Sequence, residues 1–79
     1  MSRETRPKER RNELQVEFGK IVKKKRLTLE LSQEELAEIS KMHFTYVSSV
    51  ERGERNISLE NIAKLAKALG CSMKDLMPF

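Results

Sequence analysis

The chain has 79 residues, enough for one compact domain and too few for two. Its 16 Lys and Arg side chains outnumber 12 Asp and Glu, giving a formal net charge of +4, and it contains a single cysteine. No apolar run approaches the roughly 18 residues of a membrane span, and a single cysteine excludes an intramolecular disulfide. We therefore expect a soluble protein in a reducing, cytoplasmic setting.

The positive charge is concentrated at the amino-terminal end. Residues 1–26 carry ten basic and four acidic side chains, whereas residues 27–79 are net negative. A basic segment on a small chain is typical of a protein with a polyanionic partner such as nucleic acid, and equally of a solvated helix face beside a disordered tail. Charge by itself leaves both interpretations open.

The amino-terminal residues are almost wholly polar and include Pro7, which disfavours helix in the residue before it. We predict a flexible basic arm over residues 1–12 and one folded domain over residues 13–79. From Glu13 onward, apolar side chains repeat at spacings of three and four, which predicts a first helix with one apolar face. That face is formed by Leu14, Phe18, Ile21 and Val22.

A second helix is predicted from Gln33 to Ser40. Ser32 stands before it, and Glu35 follows three residues later, which is the pattern of a capping box. The residues predicted to face inward are Leu36, Ala37 and Ile39.

A third helix is predicted from Phe44 to Arg52, after a short turn of residues 41–43. Val47 and Val50 are expected to face inward, and Gly53 follows where a left-handed C-terminal cap is favoured. Two helices of roughly eight residues, joined by about three, cannot pack side by side and must cross steeply. Such a crossing lets the second helix project into a DNA major groove.

Two further helices complete the predicted fold. Ser58 and Gly70 mark the start and end of a fourth helix with a broad apolar face. That face contains Leu59, Ile62, Ala63, Leu65, Ala66 and Leu69. Ser72 and Asp75 repeat the capping pattern before a short fifth helix that contains Met73, Leu76 and Met77. Since no segment alternates as a strand does, we predict an all-α, compact five-helix domain.

Three short stretches carry a family pattern. Ser32–Ala37 reads Ser-Gln-Glu-Glu-Leu-Ala, Tyr46–Gly53 reads Tyr-Val-Ser-Ser-Val-Glu-Arg-Gly, and Leu65–Gly70 reads Leu-Ala-Lys-Ala-Leu-Gly. With these three stretches in this order, the chain resembles the phage repressor/Cro-type (XRE-type) helix-turn-helix family. The resemblance covers about residues 14–77. Within that family, residues 51–58 look most like the controller proteins of restriction–modification systems. The resemblance implies a sequence-specific DNA-binding transcriptional regulator, a homodimer on a palindromic operator that controls its own gene.

The resemblance and the side-chain chemistry together predict DNA contacts around helices 2 and 3. Gln33 is placed to donate its amide and its helix-terminal N–H to a phosphate. Short hydroxyl side chains on one face of helix 3 are the predicted base readers: Thr45, Ser48 and Ser49. Further predicted DNA contacts come from the N-cap of helix 3 and from the chain that follows this helix: His43, Arg52, Arg55 and Asn56. For each residue, an ordinary solvent-exposed position is the alternative.

The predicted helix 3 also contains two aromatic residues, Phe44 and Tyr46. Tyr46 either packs at the rim of the core or contacts DNA with its hydroxyl on a phosphate. Phe44 stands where related controller-type sequences usually carry a polar or basic residue, often arginine, which reads guanine through two hydrogen bonds. Phe44 can press on a thymine methyl, wedge against a sugar or pack on the turn. We therefore predict no guanine recognition from this position.

Arg26 and Glu51 are predicted to be structural. The resemblance implies that an arginine late in helix 1 pairs with a glutamate late in helix 3, and both residue types stand at the matching positions. A partly buried pair of this kind fixes helix 3 on helix 1. Glu30 and Lys41 replace glycines that the family commonly has in the turns before and after helix 2. The change at Glu30 suggests a slightly different exit from helix 1, and the exact geometry of both turns stays open.

An apolar surplus in the C-terminal third predicts self-association. One recognition helix covers few base pairs, whereas a two-fold dimer reads two half-sites about one helical turn apart. The predicted interface consists of Leu69, Met73, Leu76, Met77 and Phe79. The alternative is that these residues form a lid over the chain's own core.

The residue inventory argues against an enzyme. One histidine and one cysteine make no metal site, and neither a glycine-rich phosphate loop nor a nucleophile–base set is present. We expect no cofactor, metal or small-molecule ligand, and the expected partners are double-stranded DNA and a second copy of the chain. The alternative function is that of an antitoxin, or of a phage or plasmid repressor, that acts partly through a protein partner.

Overall fold

The structure, a computed structural model, describes residues 7–79, with side chains from residue 13 onward. Its elements are four α-helices and one 3-10 helix: α1 (Pro7–Thr28), α2 (Gln33–Ser40), α3 (Phe44–Glu51), α4 (Leu59–Leu69) and the 3-10 helix Met73–Leu76. Within residues 7–79 there is no strand. The predicted all-α architecture is confirmed, and α2 has the predicted bounds.

The prediction of a fifth α-helix is wrong, because the last element is a single 3-10 turn. Its predicted cap is present: the Ser72 hydroxyl accepts from the Asp75 backbone N–H, and the Asp75 carboxylate accepts from the Ser72 N–H. Met77 has an extended backbone (φ −79°, ψ 137°). Since Met77 precedes Pro78, whose ring disfavours a helical conformation in the residue before it, the turn cannot lengthen into an α-helix.

The first helix begins at Pro7, earlier than the predicted Glu13. Proline suits the first helical position because its missing N–H has no intrahelical partner there. Residues 1–6 of the predicted arm lie outside the described residues. The flexibility of the arm therefore stays a prediction.

A residue with a left-handed backbone conformation lies in the turn on each side of α2. Glu30 and Lys41 have φ values of 60° and 59°, so these turns keep a glycine-like geometry without glycine. A non-glycine residue in this conformation is strained by roughly 1–2 kcal/mol. The positive φ that glycine commonly supplies is therefore present at both positions.

The core is formed where α1, α2 and α4 converge with α3 and the 3-10 helix. Its largest fully buried side chains are Val22, Leu36, Val47, Leu65 and Leu76. Each helix contributes residues spaced three or four apart, so one face of each helix turns inward. The eight-residue α3 is thereby packed against both α1 and α2.

Four residues expected on inward faces are exposed: Leu14, Ile39, Leu59 and Ala63. In α2 the buried face consists of Leu36, Ala37 and Ser40, and Ile39 falls outside it with 52% of its surface exposed. Ser40 is buried without penalty because its hydroxyl donates to the Leu36 carbonyl at 2.7 Å.

Candidate nucleic-acid interface

One face of α3 presents side chains to solvent. Phe44 is 42% exposed, Thr45 is exposed and Ser48 is partly exposed. Val47 and Val50, on the opposite face, are buried in the core. The helix therefore rests on its valines and leaves an outer face of one aromatic ring and two hydroxyls.

His43 caps the beginning of α3. Its Nδ1 accepts the Thr45 backbone N–H at 3.2 Å, and the Thr45 hydroxyl lies 2.8 Å from the same nitrogen. A nitrogen that accepts carries no proton, so the neutral ring holds its proton on Nε2. His43 is exposed, so this Nε2–H is a free donor beside the outer face of α3.

Ser49 does not belong to the exposed face, although helical spacing put it there. It is 7% exposed, and its hydroxyl donates to the Tyr46 carbonyl at 2.8 Å. The Ser49 hydroxyl oxygen in turn accepts a hydrogen bond from Arg55 Nε at 2.9 Å. The loop after α3 thus covers Ser49, and the outer face keeps only Thr45 and Ser48 of the three predicted base readers.

Tyr46 is partly buried between α3 and α4. Its hydroxyl accepts from Asn61 Nδ2 at 3.1 Å, and the Arg55 guanidinium lies 5.1 Å from the centre of its ring. A cation over an aromatic face is attracted by the ring quadrupole. Tyr46 therefore connects α4 to the loop and holds Arg55 in place, while Asn56, the next residue, is exposed.

Arg52 lies at the surface where α3 ends. It donates to the Ser48 hydroxyl at 2.6 Å and to Glu54 at 3.1 Å. The hydrogen bond from Arg52 lowers the pKa of the Glu54 carboxyl, and the same bond raises the pKa of Arg52. One of the predicted DNA-contacting cations is therefore paired with an acid in this structure.

A buried carboxylate connects three helices. Arg26 Nε donates to Glu51 Oε2 at 2.6 Å, and Arg26 Nη2 donates to Glu51 Oε1 at 3.0 Å. Gln33 Nε2 donates to the same Oε1 at 2.9 Å, and Arg26 Nη1 donates to the Leu31 carbonyl at 2.7 Å. Hydrogen bonding to Glu51 raises the pKa of Arg26, so the guanidinium is charged throughout the accessible pH range. The structure thus brings Arg26 and Glu51 together as a buried pair and adds Gln33 to it.

Two glycines permit a close approach of α1 to the end of α3, a role that the sequence interpretation missed. A Cβ on Gly19 would lie 2.7 Å from the Glu51 carbonyl oxygen and closer still to that of Val50. A Cβ on Gly53, which has φ 78°, would lie 2.7 Å from the Val16 Cα. A lone glycine inside a helical pattern is the signal that indicates such a contact.

The residues predicted to form a dimer interface occupy different environments. Leu69 and Leu76 lie in the chain's own core, as the lid alternative describes, so their side chains are not available to a partner. Met73 and Met77 are partly buried, and Phe79 is 93% exposed. An interface in this region therefore depends on Met73, Met77 and Phe79.

The described residues contain neither a membrane-spanning helix nor a metal-binding cluster. No helix among them is long and apolar enough to cross a membrane. In the same part of the chain, no group of three or more His, Cys, Asp or Glu side chains is arranged to hold a metal ion.

Comparisons with known proteins agree with this geometry. The family model described as helix-turn-helix matches residues 22–76. The control protein C.BamHI of Bacillus amyloliquefaciens is 48% identical over 69 residues, which are 86% of this chain and 85% of that protein. The crystal structure of the restriction-modification controller protein C.AhdI from Aeromonas hydrophila has a TM-score of 0.78 at 46% identity, covering 80% of this chain and 96% of that one.

A second related structure contains DNA. It is the restriction-modification controller protein C.Esp1396I, a tetramer in complex with its natural 35 base-pair operator, with a TM-score of 0.71 at 30% identity. The match covers 80% of this chain and 93% of that one. The chain belongs to the helix-turn-helix family, among the restriction-modification control proteins.

Proposed function

We propose that this chain is a sequence-specific DNA-binding transcriptional regulator that controls the genes of a restriction–modification system, including its own. The observation that carries the proposal is the construction of α3. This short helix is anchored by a buried ion pair at its C-terminal end and presents solvent-accessible polar and aromatic side chains on its outer face. A helix mounted in this way is suited to enter a major groove.

Base recognition is assigned to the outer face of α3. Thr45 and Ser48 offer hydroxyls that pair with several base edges, and Phe44 offers an apolar surface for a thymine methyl. The absence of an arginine at position 44 removes the side chain best suited to a guanine at this point of the helix. We therefore propose an operator that differs from those of relatives with arginine at this position.

Backbone contacts are assigned to donors on both sides of α3. Gln33 lies at the beginning of α2, where free backbone N–H groups favour an anion. His43 Nε2, the Arg55 guanidinium and the exposed Asn56 supply further donors around the helix. Such contacts fix the register of the protein on DNA without reading sequence.

We propose that the chain acts as a homodimer on a palindromic operator. Two copies related by a two-fold axis place their α3 helices in half-sites about one helical turn apart. Met73, Met77 and Phe79 are the accessible apolar residues of the predicted interface. The operator complex of the tetrameric relative supports assembly on DNA. Such a regulator binds its DNA in the bacterial cytoplasm. It needs no catalytic group, cofactor or small ligand.

The proposal is tested by a gel-shift titration against the DNA upstream of the chain's own gene at two salt concentrations. We expect specific binding that weakens as salt rises, because phosphate contacts release counterions. Random DNA of the same length is the control. Equal affinity for both DNAs would overturn the proposal of an autoregulatory, sequence-specific regulator.

A further inference from the structure

The carboxylate of Glu51 has a second neighbour besides its ion-pair partner. Its side chain is 2% exposed, and the Oε1 atom accepts from both Arg26 Nη2 and Gln33 Nε2. Gln33 is the first residue of α2, so a buried atom of α3 contacts the beginning of α2.

The chemistry of this contact determines how the Gln33 amide is turned. An ionised carboxylate only accepts hydrogen bonds, so the amide must present its NH2 group, and not its carbonyl, to Glu51. The NH2 group has two hydrogens, and the bond to Glu51 uses one of them. Because Gln33 is partly exposed, the second N–H is left for a group outside the protein.

Arg26 makes this arrangement compatible with an anion. An unpaired carboxylate beside the beginning of α2 would repel a phosphate. Arg26 forms two hydrogen bonds to Glu51, so the pair is neutral as a whole. Its third bond, to the Leu31 carbonyl, holds the turn that leads into α2.

From this geometry we propose that Glu51 is a positioning residue for phosphate recognition. It holds the Gln33 amide with one N–H inward and the other directed to a DNA phosphate, while it also anchors α3. This inference rests on the proposed DNA-binding function. The placement of the reading helix and the phosphate contact of α2 then depend on one buried carboxylate.

The first test replaces the amide and leaves the ion pair intact. Gln33→Met keeps the side-chain length and removes both N–H groups. We expect operator binding to weaken about tenfold, as for the loss of a hydrogen bond to a charged group. Ethylation of one phosphate in each half-site, which interferes with binding of the unmodified protein, should no longer interfere with binding of the variant. Gln15→Met, at the chain's other glutamine, is the matched control and should leave both results unchanged.

The second test asks whether Glu51 acts through Gln33. Operator affinity is measured for Glu51→Gln alone and in the Gln33→Met background, at a temperature where circular dichroism shows every variant to be folded. We expect the loss caused by Glu51→Gln to be at least about threefold smaller in the second background, because the coupled contact is already absent. Equal losses in both backgrounds would overturn the positioning role.

The outcomes separate this inference from the proposed function. If the unmodified protein does not prefer its operator, the proposed function fails. If the operator is bound but Gln33→Met changes neither the affinity nor the interference pattern, the inference fails and the function stands. The first test needs only Gln33→Met, so it can still overturn the inference even if Glu51→Gln does not fold.

Discussion

The two ends of α3 are built in opposite ways. At the C-terminal end, Glu51 is buried in an ion pair with Arg26, and Gly19 lies directly against the backbone. At the N-terminal end, Phe44 and Thr45 face solvent, and the support comes from the His43 cap. One eight-residue helix thus separates support at one end from recognition at the other. Changes at the C-terminal end should alter the fold, and changes at the N-terminal end should alter what is recognised.

The largest effect is expected from Glu51→Ala. It leaves the buried Arg26 guanidinium without its partner, and breaking a buried pair in this way lowers the free energy of unfolding by about 3–5 kcal/mol. The measurement is urea denaturation of both proteins, with a lower midpoint and an unchanged slope expected for the variant. An unfolding curve that matches that of the unmodified protein would show that the pair does not support α3.

The control for this prediction is Glu54→Ala. Glu54 also pairs with an arginine, but its side chain is 57% exposed. Solvent screens such a pair, so we expect its loss to change stability far less than the loss of Glu51. Similar midpoints for the two variants would remove the distinction between a buried and an exposed end of α3.

A smaller loss of stability is expected from Gly19→Ala. The added methyl would meet the carbonyl oxygens of Val50 and Glu51, and overpacking of this kind lowers stability by about 1–3 kcal/mol. The higher helix propensity of alanine offsets up to about 1 kcal/mol of this. The loss is measured as a shift in the thermal midpoint. We also expect weaker operator binding, because α3 must move away from α1.

Gly70→Ala is the matched control for Gly19→Ala. It is strained by its φ of 69°, but no atom lies within 4 Å of the added methyl. We therefore expect some loss of stability and no loss of operator affinity in the folded variant. If Gly70→Ala weakens binding as much as Gly19→Ala does, the close approach to α3 has no special role.

Much of the fold was predictable because its signals are local. Ser32 and Glu35 lie close together in the sequence and form a capping box whose pattern requires no tertiary information. The left-handed cap at Gly70 is recognisable for the same reason. Ile39 shows the limit: its place in the apolar pattern suggests burial, but the neighbours of a short helix decide which face turns inward.

The candidate site was predictable in part. Helical spacing places Ser49 with Thr45 and Ser48, yet Ser49 is covered by Arg55, which comes from the loop after the helix. Gln33 was expected to bind phosphate, but its bond to Glu51 depends on how α2 crosses α3 and leaves no trace in the sequence. These contacts arise between elements that are distant in the chain.

At the exposed end of α3, Phe44→Arg should change recognition and leave the fold unaltered. Phe44 is 42% exposed, so its replacement leaves no large cavity. An arginine there is placed to read a guanine, which favours that base by about 1–3 kcal/mol over others. Selection of binding sites from random DNA should show a new guanine preference, with the thermal midpoint nearly unchanged. Ile39→Arg, which adds the same charge on α2, should not alter base preference. Identical preferences for Phe44→Arg and the unmodified protein would mean that this position does not face the bases.

The smallest effect concerns the exposed ion pair where α3 ends. The hydrogen bond from Arg52 lowers the pKa of Glu54 below its ordinary value of 4.5. A carboxyl with a lowered pKa in the folded state stabilises it above that ordinary value, and the contribution disappears as pH falls through the lowered pKa. Glu54→Gln should therefore have a slightly lower melting temperature than the unmodified protein at about pH 7, and the difference should vanish at about pH 2. A difference that persists in acid would mean that Glu54 supports the end of α3 by packing and not by its charge.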